Sequence, residues 1–531
     1  MWYLAIVVAA TIVLYYELYI AGAVSPSIIA GTGMTFPFYV YISVVGNAVG
    51  AFGSLAAGLS DRWGRANLVA YGLLITGVLV LVGIPNVSGK WGFAILFCAI
   101  GLVEGVILVA TPALIRDFSP QLGRASAMGF WTLGPVVGSL IVAVVSSNTV
   151  NHLGAWQDQF VIAGIVGLVV GVVAVVGLKE LSPQLRDQLM VSLRDRALIE
   201  AKARGLDIQD SLRRPWRQMM HLDVVGSAFA ISVFLLIYYT AVGFFTVYFT
   251  TLHGFSLSKA NSIGDWFWAF DAGALIIVGI ISDRLRVRKP FMVIGAIGGI
   301  VMTIIFLNLG ASTSYSTFVI VISLLAVFLA IAYAPWMASF TETVERRNPA
   351  LIATGLAVWG WIIRVVIAIS VLILPSVISS MTPLVTYGGQ AATIQATYAP
   401  QIATFASIDP KTLTTLQTSP TNTAAQATAV GEIVKAFSVT PAVATTRLLA
   451  LSKVPAADLA FIAAHGTAVS NAATSAPGQW KDWWWVCVGG QVLFIPFVLV
   501  MAGRWRPRKA REDEEEHERR VQEELAGLQK A

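Results

Sequence analysis

Apolar residues come along this chain in long blocks, separated by short polar stretches. At 1.5 Å per helical residue, about 20 of them cross the ~30 Å hydrocarbon layer of a bilayer. Twelve blocks qualify as spans: 3–28, 37–59, 67–85, 92–115, 125–147, 159–178, 223–249, 261–281, 290–309, 316–340, 351–376 and 483–503. They are rich in Gly and poor in charge, which suits helices packed in lipid. The expected fold is therefore an all-α membrane protein with 12 transmembrane helices. Ser60-Asp61-Arg62 follows the second block and Ser282-Asp283-Arg284 follows the eighth, so the halves echo each other. A six-plus-six duplication into two pseudo-symmetric halves is the simplest account.

The expected organisation has an N-terminal half at 1–178, a polar central loop at 179–222 and a C-terminal half at 223–503. An insertion at 377–482 interrupts the second half, and a charged tail runs over 504–531. A surface helix is expected at Leu185–Arg204. Loop charge sets orientation, because Lys and Arg stay on the cytoplasmic side. Placing the amino end inside puts 27 of the 35 Lys and Arg in cytoplasmic segments and seven outside, with Arg364 inside a helix. Both termini are then cytoplasmic in a cell-membrane protein, and the insertion is external. It is rich in Ala and Thr, with amphipathic pieces near 430–437 and 441–465; its pattern fits an ordered cap as well as a loose loop. Trp483, Trp484 and Trp485 read as an aromatic belt at re-entry. Ala21-Gly22-Ala23 resembles a signal cleavage site, but Glu17 in the run and the lack of a basic leader favour a retained helix.

The chain is 56% hydrophobic and 12% charged, with a net charge of +6. The loop asymmetry explains that charge without a nucleic-acid partner. Cys98 and Cys487 both lie in apolar segments, and the five histidines lack ligand spacing, so neither a disulfide nor a metal or other cofactor is expected. No nucleophile–base pair or phosphate loop with usable spacing is present, which argues against an enzyme and an ATP-driven pump. A channel would need rings of like groups around a pore. Single deep charges in two unlike halves fit alternating access by a monomer instead.

Ionisable groups deep in a bilayer are costly and usually functional. Glu17, Glu104, Asp271 and Arg364 are four such groups. The last three lie twelve to fifteen residues from the cytoplasmic ends of their helices. At 1.5 Å per residue that is roughly 18–22 Å, near the midplane, where transporters bind substrate. A deep carboxyl suits proton uptake and release. Arg364 with Asp271 or Glu104 also fits a purely structural intramembrane pair. Arg364 and Asp271 are the charged groups expected to bind substrate, and Trp336 and Trp361 the aromatics, among Trp266, Trp268, Phe270 and Trp359 nearby.

Gly53-Ser-Leu-Ala-Ala-Gly58-Leu-Ser-Asp61-Arg62-Trp-Gly64-Arg65 resembles the hairpin between helices two and three of the major facilitator superfamily. The resemblance covers the chain apart from the insertion. It implies that this hairpin stabilises the outward-facing state, with Asp117 placed to pair with Arg62 or Arg65. The second hairpin, Asp283-Arg284-Leu-Arg286, would mirror it against Glu342 or Glu345. Simple anchoring of topology by the loop arginines is the plainer reading.

The run from Glu104 through Pro112, Phe118-Ser-Pro120 and Arg124-Ala-Ser-Ala127 is similar to helices four and five of the anion:cation symporter branch. That resemblance implies proton-coupled uptake of an organic acid. Glu104 and the acid of Tyr15-Tyr16-Glu17 would couple the proton. The branch usually has Arg directly after the helix-one acid; here it is Leu18, so Arg364 would supply the cation. Gly129 and Gly134-Pro135-Val-Val-Gly138 resemble instead a motif of proton antiporters that export drugs, although Ser139 departs from it. Export, or a transporter-derived sensor, is the alternative function; tight helix packing by these glycines is the structural one.

Overall fold

Helices occupy the twelve apolar blocks in order. The computed structural model describes residues 2–55, 64–118, 133–179, 215–348 and 351–509, with 512, 515, 516 and 519. The spans are α1 (Trp2–Ala23), α2 (Phe36–Leu55), α3 (Arg65–Asn86), α4 (Gly89–Phe118), α5 (Gly134–Thr149) and α6 (Gln157–Gly177) in the first half. The second half has α7 (Leu222–Leu252), α8 (Leu257–Leu285), α9 (Lys289–Leu307), α10 (Tyr315–Arg347), α11 (Ile352–Val377) and α12 (Ala456–Val500). Among the described residues all regular structure is helical. The beginning of the fifth block, the expected helix at Leu185–Arg204 and most of the tail lie outside the described residues.

Small residues let the backbones close on one another, since lipid gives no hydrophobic drive for helix association. Gly50 of α2 meets the carbonyl of Gly101 in α4, and Gly105 meets that of Gly50. In α6, Gly164 and Gly171 face Leu81 and Leu74 of α3. Gly295 of α9 likewise admits the backbone of α10 at Ala332. Two spans are irregular. α3 widens into a π turn at Leu79–Gly83, and α7 opens with another at Leu222–Gly226 and breaks at Leu235.

The halves join near one face, beside the loops 150–156 and 253–256. There Ser147 of α5 donates a hydrogen bond to Asp265 of α8 (2.9 Å), and Ser258 donates to the Ser147 carbonyl. Asn261 donates to the Ala23 carbonyl (3.0 Å) and accepts from Thr246 (3.2 Å). The opposite face is basic and carries Arg65, Arg286, Arg288, Arg346, Arg347 and Arg504.

Residues Ser379–Pro477 form a separate compact unit, slightly shorter than the expected insertion. It is ordered and helical, which settles the choice between a folded piece and a loose loop. Its helices are Met381–Ala406, Pro410–Thr418, Thr423–Phe437, Pro441–Ala450 and the start of α12. Asp409 and Asn422 cap two of them through side-chain bonds to backbone N–H groups. Phe405, Ile408, Ala429, Ile433, Ala444 and Leu451 make its own apolar core.

The aromatic belt expected at Trp483–Trp485 is a correction. Only Trp485 is exposed. Trp483 donates to the Thr240 hydroxyl (3.0 Å), and Trp484 packs on Phe306 and Tyr248. The helix also begins far upstream of Trp483, at Ala456. Helix-forming Ala-rich sequence without high hydropathy hid that start.

Candidate functional site

Glu17, Glu104 and Asp271 are 2%, 2% and 3% exposed, whereas Arg364 is exposed. Tyr15 of α1 lies within electrostatic reach of both Arg364 of α11 and Glu104 of α4. One tyrosine thus connects the cation of the second half with an acid of the first. Glu104 in turn senses Glu17. The Glu17 carboxyl lies against Gly167 of α6, inside the first six-helix bundle.

Asp271 occupies the other side of the centre. It acts on Tyr238 of α7 and Tyr333 of α10. The acids of the two halves act on one set of tyrosines, Glu104 on Tyr15 and Tyr19 and Asp271 on Tyr238 and Tyr333. The rings of Tyr15 and Tyr19, one turn apart on α1, are 5.4 Å apart; those of Tyr238 and Tyr239 are 5.6 Å apart. Tyr19 reaches Tyr238 and Tyr239, and Tyr15 reaches Tyr239 and Tyr333. Sequence reasoning missed all five as site residues, quoting Tyr15 only as part of the motif that carries Glu17. The available signal was the Tyr-Tyr pair recurring in the first span of each half, at Tyr15-Tyr16 and Tyr238-Tyr239.

Packing fixes these rings. A Cβ on Gly138 of α5 would sit 2.6 Å from the Tyr15 Cβ, and one on Gly134 would sit 2.7 Å from Thr11. The Gly-Pro stretch therefore lays α5 tightly on α1. Trp268 meets Tyr238 edge-on at 5.0 Å. Trp336 is fully buried and stacks on Tyr333 at 6.0 Å, backed by Phe340 and Trp359. Trp361 is 67% exposed, and no ring contact joins it to the group among the described residues.

One Glu104 oxygen, one Asp271 oxygen and both Glu17 oxygens are buried without a hydrogen-bond partner among the described residues. The ion pairs found there lie on the basic face and in the tail. Arg364 is therefore not locked in a structural pair with Asp271 or Glu104 among the described residues.

On the basic face, Asp61 and Arg62 and the side chain of Asp117 lie outside the described residues; Arg65 is buried. In the second half Asp283 and Glu342 are joined, but by Arg288 rather than Arg284. Arg288 reaches Asp283 at 2.6 Å and Glu342 at 3.0 Å. The reason is the turn between α8 and α9. Arg286 takes a left-handed φ of 56° and ends α8, so the chain turns back and presents Arg288 to both acids. Gly64, also three residues past the matching Asp, has a φ of 88°. Arg347 and Arg346 of α10 both hold Asp223 at the start of α7, at 2.8 Å and 3.6 Å.

Helices of membrane-spanning length in two bundles, meeting around a shared polar centre, define a multi-pass membrane protein. The chain belongs to the Major Facilitator Superfamily, whose family model matches residues 7–370. An MFS-type efflux pump of Mycolicibacterium smegmatis is 27% identical over 310 residues, 56% of this chain and 63% of the pump. A putative glycerol-3-phosphate transporter 5 of Arabidopsis thaliana is 24% identical over 267 residues, 45% of this chain and 53% of the relative. An MFS transporter, asaE, of Aspergillus flavus is 32% identical over 127 residues, 23% of this chain and 28% of the relative. The matches thus span less than two thirds of each of these relatives. A bacterial homologue of the human lysosomal transporter Spinster, solved inward-facing and occupied, superposes with a TM-score of 0.52 at 15% identity. That match covers 90% of this chain and 97% of the homologue. A D-xylose–proton symporter gives the same TM-score and identity over 70% of this chain and 96% of its own. Both share the fold.

Proposed function

We propose that the protein is a proton-coupled importer of small organic anions in the cell membrane, working by alternating access as a monomer. The basic face is cytoplasmic with both termini, and residues 379–477 are external. The joined face is then the external one, so the described state is closed to the outside. Glu104, with Glu17, carries the proton. Arg364 holds the anionic group of the substrate, Trp336 supports the wall through Tyr333, and Trp361 flanks Arg364 on α11. Asp61, Arg62, Arg65 and Asp117 gate one half, and Asp283, Arg284 and Glu342, with Arg288, gate the other.

The observation that carries this reading is that the charges of Arg364 and Glu104 both act on Tyr15, while Glu104 itself is buried with one oxygen unpartnered among the described residues. Substrate and proton then bind at either side of one residue, where each alters the cost of the other. A deep, unpartnered carboxyl is tolerable when a proton cycle neutralises it. Counterflow and pH-driven uptake in proteoliposomes test the assignment. Glu104→Gln should exchange substrate yet fail to accumulate it under a pH gradient, and Arg364→Ala should weaken binding itself. Intact pH-driven accumulation by Glu104→Gln would place the proton elsewhere.

Export is the second reading, favoured by the similarity to the Mycolicibacterium smegmatis pump. The glycines of the export-like stretch have a packing role here, on Thr11 and Tyr15. Uptake into inside-out vesicles driven by an acidic interior would mark export.

A further inference from the structure

The centre is charged at two ends, and the proposed function uses only one of them. Asp271 is not needed to bind an anion, and it would repel one. Yet it is nine-tenths or more buried, it holds one oxygen without a partner, and it acts on Tyr238 and Tyr333 of the tyrosine group. No cation neutralises it among the described residues.

Its surroundings are aromatic. Tyr238 packs on Trp268 and Phe267, and Tyr333 is stacked on Trp336. Ring faces attract organic cations, most strongly in a site shielded from water, and a carboxylate among them supplies the ion-pair partner. A buried acid without a cation is expensive, so a bound cation gains what the empty site lacks. Tyr15 feels the charge of Arg364, and Tyr333 feels both Tyr15 and Asp271, so the two charges act on one set of rings. A small molecule that bridges them is charged at both ends.

We propose that the substrate is bipolar, with a carboxylate or other anionic group held at Arg364 and an ammonium group held at Asp271 among Tyr238, Tyr333 and Trp268. This rests on the anion-binding role of Arg364 and adds the second pole. The five tyrosine hydroxyls between the poles then meet the polar middle of the substrate. Asp271 acts as the specificity residue that separates an amino acid-like molecule from its simple acid.

The test uses purified full-length protein and three matched series on shared aliphatic and aromatic skeletons: carboxylates, amines and amino-carboxylates. Binding is read by thermal shift and competition. In wild type the amino-carboxylates should bind at least tenfold tighter than the matching acids. Asp271→Asn should erase that advantage, weakening the amino-carboxylates while the acids bind as tightly or more tightly, and Arg364→Ala should weaken both. Acids that bind as tightly as amino-carboxylates, or an Asp271→Asn variant that weakens both series equally, would overturn the second pole alone. Binding of amines with no contribution from a carboxylate or from Arg364 would overturn the anion reading beneath it. Wild type that shifts with none of the three series contradicts both. Asp271→Glu, which keeps the charge, should retain part of the preference and controls for misfolding.

Discussion

A methyl group on Gly167 would overlap the Glu17 carboxyl, so the acid occupies the space a side chain of α6 would need. Gly167→Ala should therefore displace Glu17 and cost about 1–3 kcal/mol from overpacking. Transport should lose its dependence on pH gradient more than its substrate affinity. Thermal unfolding and pH-driven uptake check this; an unchanged pH profile would detach Glu17 from the proton path.

Arg288 ties Asp283 to Glu342 on the surface of the basic face, where Asp283 is 71% exposed. Arg288 itself is 14% exposed and also donates to the Ser282 hydroxyl (2.8 Å), so Arg288→Ala should lower stability by about 1–3 kcal/mol. Under the proposed gating role, its further effect falls on turnover rather than on substrate binding. Arg284→Ala should be milder. Equal maximal rates for wild type and Arg288→Ala would reduce the turn to an anchor of topology.

The joined face depends on hydrogen bonds of Ser147 and Asn261. Asn261 lines a small cavity between the halves together with Tyr19, Ser139 and Val142. Asn261→Ala removes the bond to the Ala23 carbonyl and should favour opening on that side. With Cys98 and Cys487 replaced by Ser, a Val142→Cys reporter should react with an external thiol reagent several-fold faster in the Asn261→Ala background. No change in rate would show that helix packing alone closes this face.

His253, beside the same face, sits among Tyr248, Phe249, Phe255 and Phe318, and burial lowers its pKa to about 4. Its folded pKa lies below the unfolded value near 6.5, so the unfolded chain binds the proton first. Its stabilising contribution is present above about pH 6.5 and is lost as pH falls toward 4. The melting temperature of the purified protein should drop across that window, and His253→Leu should flatten the drop. A parallel pH dependence in the variant would assign the loss to other groups.

The spans were legible because an apolar run of membrane length leaves few alternatives, and the deep charges stood out because lipid makes them rare. Tyrosine carries no such signal: it is common at interfaces, and nothing local distinguishes Tyr239 from a belt residue. Arg288 was missed because its reach depends on the left-handed turn at Arg286, a conformation usually marked by glycine. Asp223 and Asp265 gained partners only through contacts between distant helices. Trp483 and Trp484 were misread because an aromatic pair at a helix entry looks alike whether it faces headgroups or Tyr248 and Thr240.

The self-contained core of Ser379–Pro477 has a consequence for synthesis. With the basic face inside, this whole polar stretch is translocated after α11 has entered the bilayer, and long segments cross largely regardless of their charge. Phe405, Ile433 and Leu451 give it a folded state to reach in the aqueous compartment, with no waiting for the last span. The ribosome has by then still to deliver most of α12, the helix whose Trp483 and Trp484 complete the second half. In that orientation, assembly of the chain ends with a late closing step, made by a helix whose first turns belong to the separate unit.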